Sequence, residues 1–187
     1  MKNVLAIILV SMMVTSTMAA ASQNETSLYS PLASSLLSSA SAESLTYWNE
    51  QNLRANSSCL LSIVRSKMNS TKASALPELK FSSSTSLEEF QAAIEQWWGF
   101  RPEKFVNVYN ANTNTLYLNN NKASYKNSRT PVDSLVHELV HFVQSKDFNA
   151  SHEDGEYLED QAVQVQTWFR DNYGLHIQNE DYQGPCK

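Results

Sequence analysis

The most constraining feature of the sequence is the stretch TPVDSLVHELVHFVQ, which runs from Thr130 to Gln144. Threonine commonly caps helix N-termini, the proline after it suits the first helical position, and Asp133 falls in the first turn, where the helix dipole favours an acid. These three signals predict that a helix begins at Thr130. Any fold of this chain must therefore include a helix whose first residue is determined by its own neighbouring residues.

The predicted helix has two unlike sides. At 3.6 residues per turn its Val and Leu residues form a broad apolar side, and the other side carries the polar residues Asp133, His137, Glu138, His141 and Gln144. The two histidines are one turn apart, about 6 Å along the axis, so both imidazoles can reach one ion at a zinc–nitrogen distance of about 2.0–2.1 Å. The alternative is a solvated polar face that happens to contain these residues. The rarity of His-Glu-x-x-His favours a zinc site.

The segment HELVH, from His137 to His141, resembles the motif of the zincin metallopeptidases, in which two zinc-binding histidines flank a catalytic glutamate on one helix. The resemblance extends from Phe105 to Tyr173 and includes a predicted hairpin before this helix. It implies that His137 and His141 bind Zn²⁺ and that Glu138 is the catalytic base. The metzincin extension Gly-x-x-His is absent after His141, so the third ligand must come from elsewhere.

A later helix is predicted in GEYLEDQAVQVQTWFRDNYG, which has apolar residues at helical spacing and a terminal glycine as its stop. Within it, EDQA resembles the Glu-x-x-Ala of the gluzincins, the zincins that use a glutamate as third ligand. The resemblance implies that Glu159 is the third zinc ligand and that the small Ala162 lets the two helices approach closely. Glu156, Asp160 and His152 remain alternatives, since the dipole alone favours acids at a helix start.

The resemblance also implies roles for residues around the metal. An edge strand of a zincin pairs with the substrate backbone, and the candidate strand is TLYLN, although covering the core explains its leucines equally well. Asp133 or Asp160 could accept a hydrogen bond from a ligand histidine and fix its tautomer. An oxyanion donor is also needed, and the candidates are Tyr157, Tyr173 and His176.

Three further elements are predicted from periodicity and turn residues. A roughly helical pattern extends from Ser44 to Met68, with a break expected near residues 56–58. A clearer helix follows, with Ser86 as its cap and Gly99 as its stop. Two β-prone runs around an Asn-rich turn predict a hairpin from Phe105 to Asn119.

The N-terminal region has the layout of an exported protein. Residues 1–21 combine a basic residue, an apolar run and small residues, as a secretory signal peptide does. Residues 22–43 form a Ser/Ala-rich lead-in, and residues 44–187 are predicted to form the domain. No segment of the mature chain is apolar enough to span a bilayer, so we expect a periplasmic or secreted protein. In that oxidising environment Cys59 and Cys186 are expected to form one disulfide.

Size and composition limit the fold and the partners. The chain has 187 residues, of which 42% are hydrophobic, and a net charge of −5. These values suit one domain with a substantial core. Nucleic acid is disfavoured as a partner, because no cluster of Lys and Arg is present to bind phosphates.

These features predict an α+β fold. We expect a zincin-like single domain with a small antiparallel sheet, an active-site helix carrying HELVH and a returning helix carrying the third ligand. The predicted function is that of an exported zinc metallopeptidase that hydrolyses a peptide or protein substrate, with Zn²⁺ as cofactor. Two alternatives remain: a catalytically silent zincin-like binding module for a protein or cell-wall partner, and a structural zinc site closed by His152 or Cys59.

Overall fold

The computed structural model of the protein describes residues 49–126, 129–150, 155–174 and 186. In this part of the chain, helices and a three-stranded sheet form a mixed α+β fold. The helices are α1 (Glu50–Lys67), α2 (Leu87–Trp98), α3 (Pro131–Lys146) and α4 (Gly155–Phe169), and the strands are β1 (Glu78–Phe81), β2 (Val108–Asn110) and β3 (Thr115–Leu118). The predicted signal peptide and lead-in lie outside the described residues and stay predictions.

Helix α1 is continuous, and the break expected near residues 56–58 is wrong. Asn56 Nδ2 donates to the carbonyl of Asn52 at 2.9 Å, and Ser57 Oγ donates to the carbonyl of Arg54 at 2.7 Å. These short polar side chains favour turns when they hydrogen-bond to the backbone outside a helix. Here they bond to carbonyls of their own helix, so the polar segment does not interrupt it.

Helix α2 begins and ends where its cap and stop residues predict. Ser86 Oγ accepts from the Glu89 amide at 3.1 Å. Gly99 has a left-handed φ of 76°, which a residue without a Cβ adopts at no steric cost. Phe90 and Ile94 are fully buried on the inner side of the helix. The capping residues and the spacing of apolar residues therefore both predict the helix that is observed.

The sheet is mixed, not antiparallel as predicted. Its strand order is β1-β3-β2, with β1 parallel to β3 and β2 antiparallel to β3. The predicted hairpin is present as β2 and β3, with shorter bounds. Strand β1 was not predicted, because its four residues ELKF offer only two apolar positions to reveal a period. Strand β1 pairs with the second strand of the hairpin, and the connection between β1 and the hairpin contains α2.

Strand β3 lies at the centre of the sheet. Leu116 faces Leu79 of β1 on one side and Tyr109 of β2 on the other. Both hydrogen-bonding edges of β3 are therefore occupied. The expectation that TLYLN would be the edge strand beside the metal is wrong for this reason.

Helix α3 is the central element of the fold. It contacts α1 and α4 as well as β2 and β3, so its apolar residues are enclosed on several sides. Its neighbour α4 supplies the fully buried Ala162, as expected for two helices that approach closely. The core cluster around α3 includes Leu53, Leu60, Val64, Phe81, Leu116, Leu118, Leu135, Val136, Leu139, Phe142, Ala162 and Phe169.

Two features bear on the prediction of an exported chain. The disulfide is confirmed: Cys59 of α1 is bonded to Cys186, with the two Cα atoms 5.5 Å apart. Among the described helices, none has the length and apolar character needed to cross a membrane.

Candidate metal centre

The polar side of α3 is buried, not solvated. Asp133, Glu138 and Gln144 are 1%, 6% and 2% exposed. The side chains of His137 and His141 are 14% and 24% exposed. Burying carboxylates without partners costs several kcal/mol each, so such a side needs a specific environment. A solvated helix face is therefore excluded as the explanation of this motif.

The start of α3 is held by a reciprocal cap. Thr130 Oγ1 accepts from the Asp133 amide at 3.2 Å, and Asp133 Oδ2 accepts from the Thr130 amide at 2.9 Å. Burial raises the pKa of Asp133. Within the described residues, Asp133 Oδ1 and His137 Nδ1 have no hydrogen-bond partner. Asp133 therefore caps the helix, and the expected hydrogen bond between it and a ligand histidine is not formed.

Two histidines of α3 meet one glutamate of α4. The Nε2 atoms of His137 and His141 are 3.1 Å apart. Glu159 places Oε1 at 3.1 Å from His137 Nε2 and Oε2 at 3.2 Å from His141 Nε2. In the described part of the chain, these three residues form a group that could hold a metal ion. The three residues predicted as ligands thus lie together.

The size and chemistry of this group fit zinc. A tetrahedral zinc site with bonds of about 2.0–2.1 Å has ligand-to-ligand edges of about 3.3 Å. The two Nε2 atoms are 3.1 Å apart, which is close to that length, and with one oxygen of Glu159 included the three donor atoms lie within 4.8 Å of one another. Imidazole nitrogen and carboxylate oxygen are also donors that zinc accepts. The group could therefore hold a metal ion.

Glu159 and His141 shift each other's pKa towards the charged forms. Hydrogen bonds from His137 and His141 hold the pKa of Glu159 far below its ordinary value. Burial alone would lower the pKa of His141, but its hydrogen bonds to Glu159 and Gln144 and the negative charges of Glu138 and Glu159 together outweigh burial, and the pKa is raised. A carboxylate and a cationic partner are thus favoured at this place, whether the positive charge is a proton or a metal ion.

Glu138 lies beside the group without belonging to it. Burial raises the pKa of its carboxyl group, although the two neighbouring histidines and the backbone amide of Tyr109 partly offset that effect. A carboxyl group with a raised pKa in a cleft is the arrangement expected of a general base. Glu138 is therefore a buried carboxyl group with a raised pKa beside the three candidate ligands.

A cavity of about 320 Å³ opens onto Glu138 and the three candidate ligands. The edge strand β2 with its flanking residues and the start of α4 both line the cavity. The strand nearest the candidate ligands is thus β2, whereas the prediction named β3. The residues that line the cavity are Trp97, Asn107, Val108, Tyr109, Ala111, His137, Glu138, His141, Gln144, Ser145, Ala150, Gly155, Leu158 and Glu159.

The alternative ligands do not join the group. Glu156 and Asp160 are exposed on α4 and lie outside the His-His-Glu cluster. Cys59 is excluded as a fourth ligand, because its sulfur is bonded to Cys186. His152 lies outside the described residues.

The candidate oxyanion donors do not line the cavity where they are described. Tyr157 is 67% exposed on the first turn of α4. Tyr173 packs against Trp168 and Phe169, with ring centroids 5.7 and 5.2 Å away. His176 lies outside the described residues. An oxyanion donor thus stays a prediction, and neither described candidate lines the cavity.

Sequence reasoning placed Gln144 on the polar side of α3 but gave it no role. Its Oε1 lies 2.8 Å from His141 Nδ1. Its Nε2 donates to the carbonyl of Leu158 at 2.8 Å and to Gln161 Oε1 at 2.9 Å. The spacing in the sequence could have revealed this contact, because Gln144 is three positions after His141 and residues three apart lie next to each other on a helix.

Comparison with known proteins does not identify the chain: no protein-family model, no curated protein and no solved structure matches it.

Proposed function

We propose that the protein is a zinc-dependent metallopeptidase of the gluzincin kind, which hydrolyses peptide bonds with a metal-activated water. The observation that carries the proposal is the triangle of donor atoms from His137, His141 and Glu159 beside the buried Glu138. A structural zinc site needs four protein ligands, whereas three ligands leave a position for water. Within the described residues, the group has three ligands and opens onto a cavity.

The three ligands have separate roles in this proposal. His137 and His141 offer neutral imidazole nitrogens from successive turns of α3, and Glu159 adds a negative charge from α4. A bound zinc ion would lower the pKa of its water to about 7 and polarise the substrate carbonyl. Because the ligands come from two helices packed together, the site is held by rigid elements.

Glu138 is the proposed general base. It follows His137 directly in the chain and lines the same cavity, so it is near the water position without being a ligand. Its carboxylate would take a proton from the water and later deliver that proton to the leaving amine. Its buried surroundings raise its pKa and favour the protonated form that this second step requires.

Strand β2 is the proposed binding edge for an extended peptide. In the described sheet it pairs with β3 on one side only, and residues of β2 line the cavity beside Glu138. An extended peptide can add to such an edge through main-chain hydrogen bonds. The position of this sheet edge beside the cavity supports a peptide substrate over a compact small molecule.

The disulfide supports an oxidising compartment for this activity. Disulfides persist outside the cytosol, where thiol-reducing systems are absent. The bond between Cys59 and Cys186 therefore agrees with the expected export of the chain.

The proposal is tested with the purified mature chain and a mixture of unstructured peptides, whose cleavage is followed by mass spectrometry. We expect cleavage that stops when a chelator removes the metal and returns when zinc is added. Glu138→Gln is the control, because it retains the ligands and removes the base. Zinc binding without any cleavage of peptides would overturn the peptidase proposal and favour a binding module.

A further inference from the structure

We infer that Gln144 is a positioning residue that sets the metal-binding nitrogen of His141 and ties it to the helix that carries Glu159. This inference rests on the proposed zinc site and deepens it. The amide of the Gln144 side chain contacts residues of both α3 and α4. Gln144 is 2% exposed, so its polar atoms have no access to bulk water.

The orientation of the Gln144 amide follows from its partners. The carbonyl of Leu158 can only accept a hydrogen bond, so the amide nitrogen must face it at 2.8 Å. The second N–H is directed to Gln161 Oε1 at 2.9 Å. The amide oxygen then faces His141 Nδ1 at 2.8 Å. Each polar group of Gln144 therefore has a partner, and rotating the amide would break these bonds.

The tautomer of His141 follows from that orientation. An amide oxygen only accepts, so His141 Nδ1 must carry the proton in this hydrogen bond. In a neutral imidazole the lone pair then lies on Nε2. Nε2 is the atom that lies 3.2 Å from Glu159 Oε2 and 3.1 Å from His137 Nε2. Gln144 thus directs the metal-binding lone pair of His141 into the group of ligands.

The same amide also fixes the position of the third ligand. Leu158 precedes Glu159 on α4, and Gln161 follows it within the same turn. Hydrogen bonds from Gln144 to both neighbours hold this turn of α4 against α3. A change at Gln144 would therefore alter the distance between His141 and Glu159 as well as the tautomer.

A matched pair of variants separates this role from helix packing. Gln166 also joins α4 to α3, because its Nε2 donates to the carbonyl of Asp133 at 3.2 Å, and it is 7% exposed. The hydrogen bond described for Gln166 is to Asp133 and not to His141 or Glu159. Gln144→Leu and Gln166→Leu thus each remove a buried amide between the same helices, but only the first removes contacts around the ligands.

Zinc affinity of the two variants is measured by competition with a coloured chelator. We expect Gln144→Leu to weaken zinc binding by about 10- to 100-fold, the usual effect of losing a partner of a ligand histidine. We expect Gln166→Leu to stay within about threefold of the wild type, although its thermal stability falls. Equal zinc affinity in Gln144→Leu and the wild type would overturn the inference.

A second measurement needs neither zinc nor a folded variant. In the zinc-free wild type at alkaline pH, where the imidazole is neutral, the nitrogen chemical shifts of His141 should show the proton on Nδ1 and none on Nε2. An unprotonated Nδ1 would overturn the role of Gln144. Absence of zinc binding in the wild type would instead overturn the proposed function, so the two failures are distinguishable.

Discussion

Glu159 on α4 places Oε2 at 3.2 Å from Nε2 of His141 on α3. The two residues come from different helices, and the packing of α4 on α3 brings them together. The fully buried Ala162, one turn after Glu159, allows the close approach of these helices. The candidate metal centre is therefore a product of tertiary packing as well as of the motif.

Replacing Glu138 by Gln should abolish most peptide hydrolysis and leave zinc bound. The change keeps the size of the side chain but removes the carboxylate that takes the proton from water. General bases contribute about 10²- to 10⁴-fold to rates, so we expect a loss of kcat in that range. The measurements are peptide cleavage and zinc content of the same preparation.

The control for this variant is Glu156→Gln, which changes an exposed glutamate of α4 that lies outside the ligand group. We expect its activity to equal that of the wild type. Full activity in Glu138→Gln would contradict the role of Glu138 as base.

Replacing Glu159 by Ala should remove the third ligand. Changes to residues that merely contact ligands cost about 10- to 100-fold in metal affinity, so loss of a ligand should cost more than about 100-fold. Glu156→Ala on the same helix should leave affinity unchanged, because Glu156 is not in the group. Chelator competition measures both. If Glu156→Ala loses zinc and Glu159→Ala retains it, the assignment of the third ligand is wrong.

Asp147, at the C-terminal end of α3, should stabilise the protein at neutral pH. It accepts hydrogen bonds from Arg65 Nε at 2.9 Å, Ser70 Oγ at 2.6 Å and Ser74 Oγ at 2.9 Å. Burial alone would raise the pKa of Asp147, but these hydrogen bonds outweigh it and the pKa is lowered. We expect Asp147→Asn to lower the free energy of unfolding by about 3 kcal/mol, because it leaves Arg65 buried without its charge partner.

The pH dependence of this effect has a definite sign. A carboxyl group whose pKa is lowered by folding stabilises the protein above its unfolded pKa of about 3.9, and this contribution is lost as pH falls through the folded pKa. The difference in unfolding free energy between wild type and Asp147→Asn should therefore be full at neutral pH and diminish below about pH 4. Denaturant titrations across this range measure it. A difference that grows as pH falls would contradict the account.

Removing the disulfide should destabilise the fold without weakening the metal site. The bond joins residues separated by 127 positions, and closing a long loop restricts the unfolded chain. Replacing Cys59 and Cys186 together by Ser should lower the free energy of unfolding by about 2–5 kcal/mol. Zinc affinity should remain that of the wild type, because neither cysteine is in the ligand group. A loss of zinc in this double variant would show that the bond shapes the site.

The starts of α2 and α3 were predictable because their signals are local. Ser86 and Thr130 cap the helices that follow them, and both contacts are present. The sheet was less predictable, because the pairing of β1 with β3 depends on residues distant in the sequence. A strand of four residues also has too short a hydrophobic pattern to indicate which strand it pairs with. For the same reason the edge strand was assigned to β3 and not to β2.

The sequence predicted which three residues lie together in the candidate group, but it did not predict the hydrogen-bond partners of those residues. His137 and His141 follow from spacing on one helix, and Glu159 follows from the resemblance to the gluzincins. The contact between Gln144 and the carbonyl of Leu158 requires the angle and distance between α3 and α4. Those quantities depend on side-chain packing in the core, which a single sequence does not display.

The most direct test of this account is the zinc content of the purified mature chain, measured by elemental analysis beside His137→Ala. We expect about one zinc per chain in the wild type and loss of that zinc in the variant, because two ligands cannot retain the ion against a chelator. A wild type that binds no zinc even after zinc is added would contradict the metal centre, and the proposed peptidase function would fall with it.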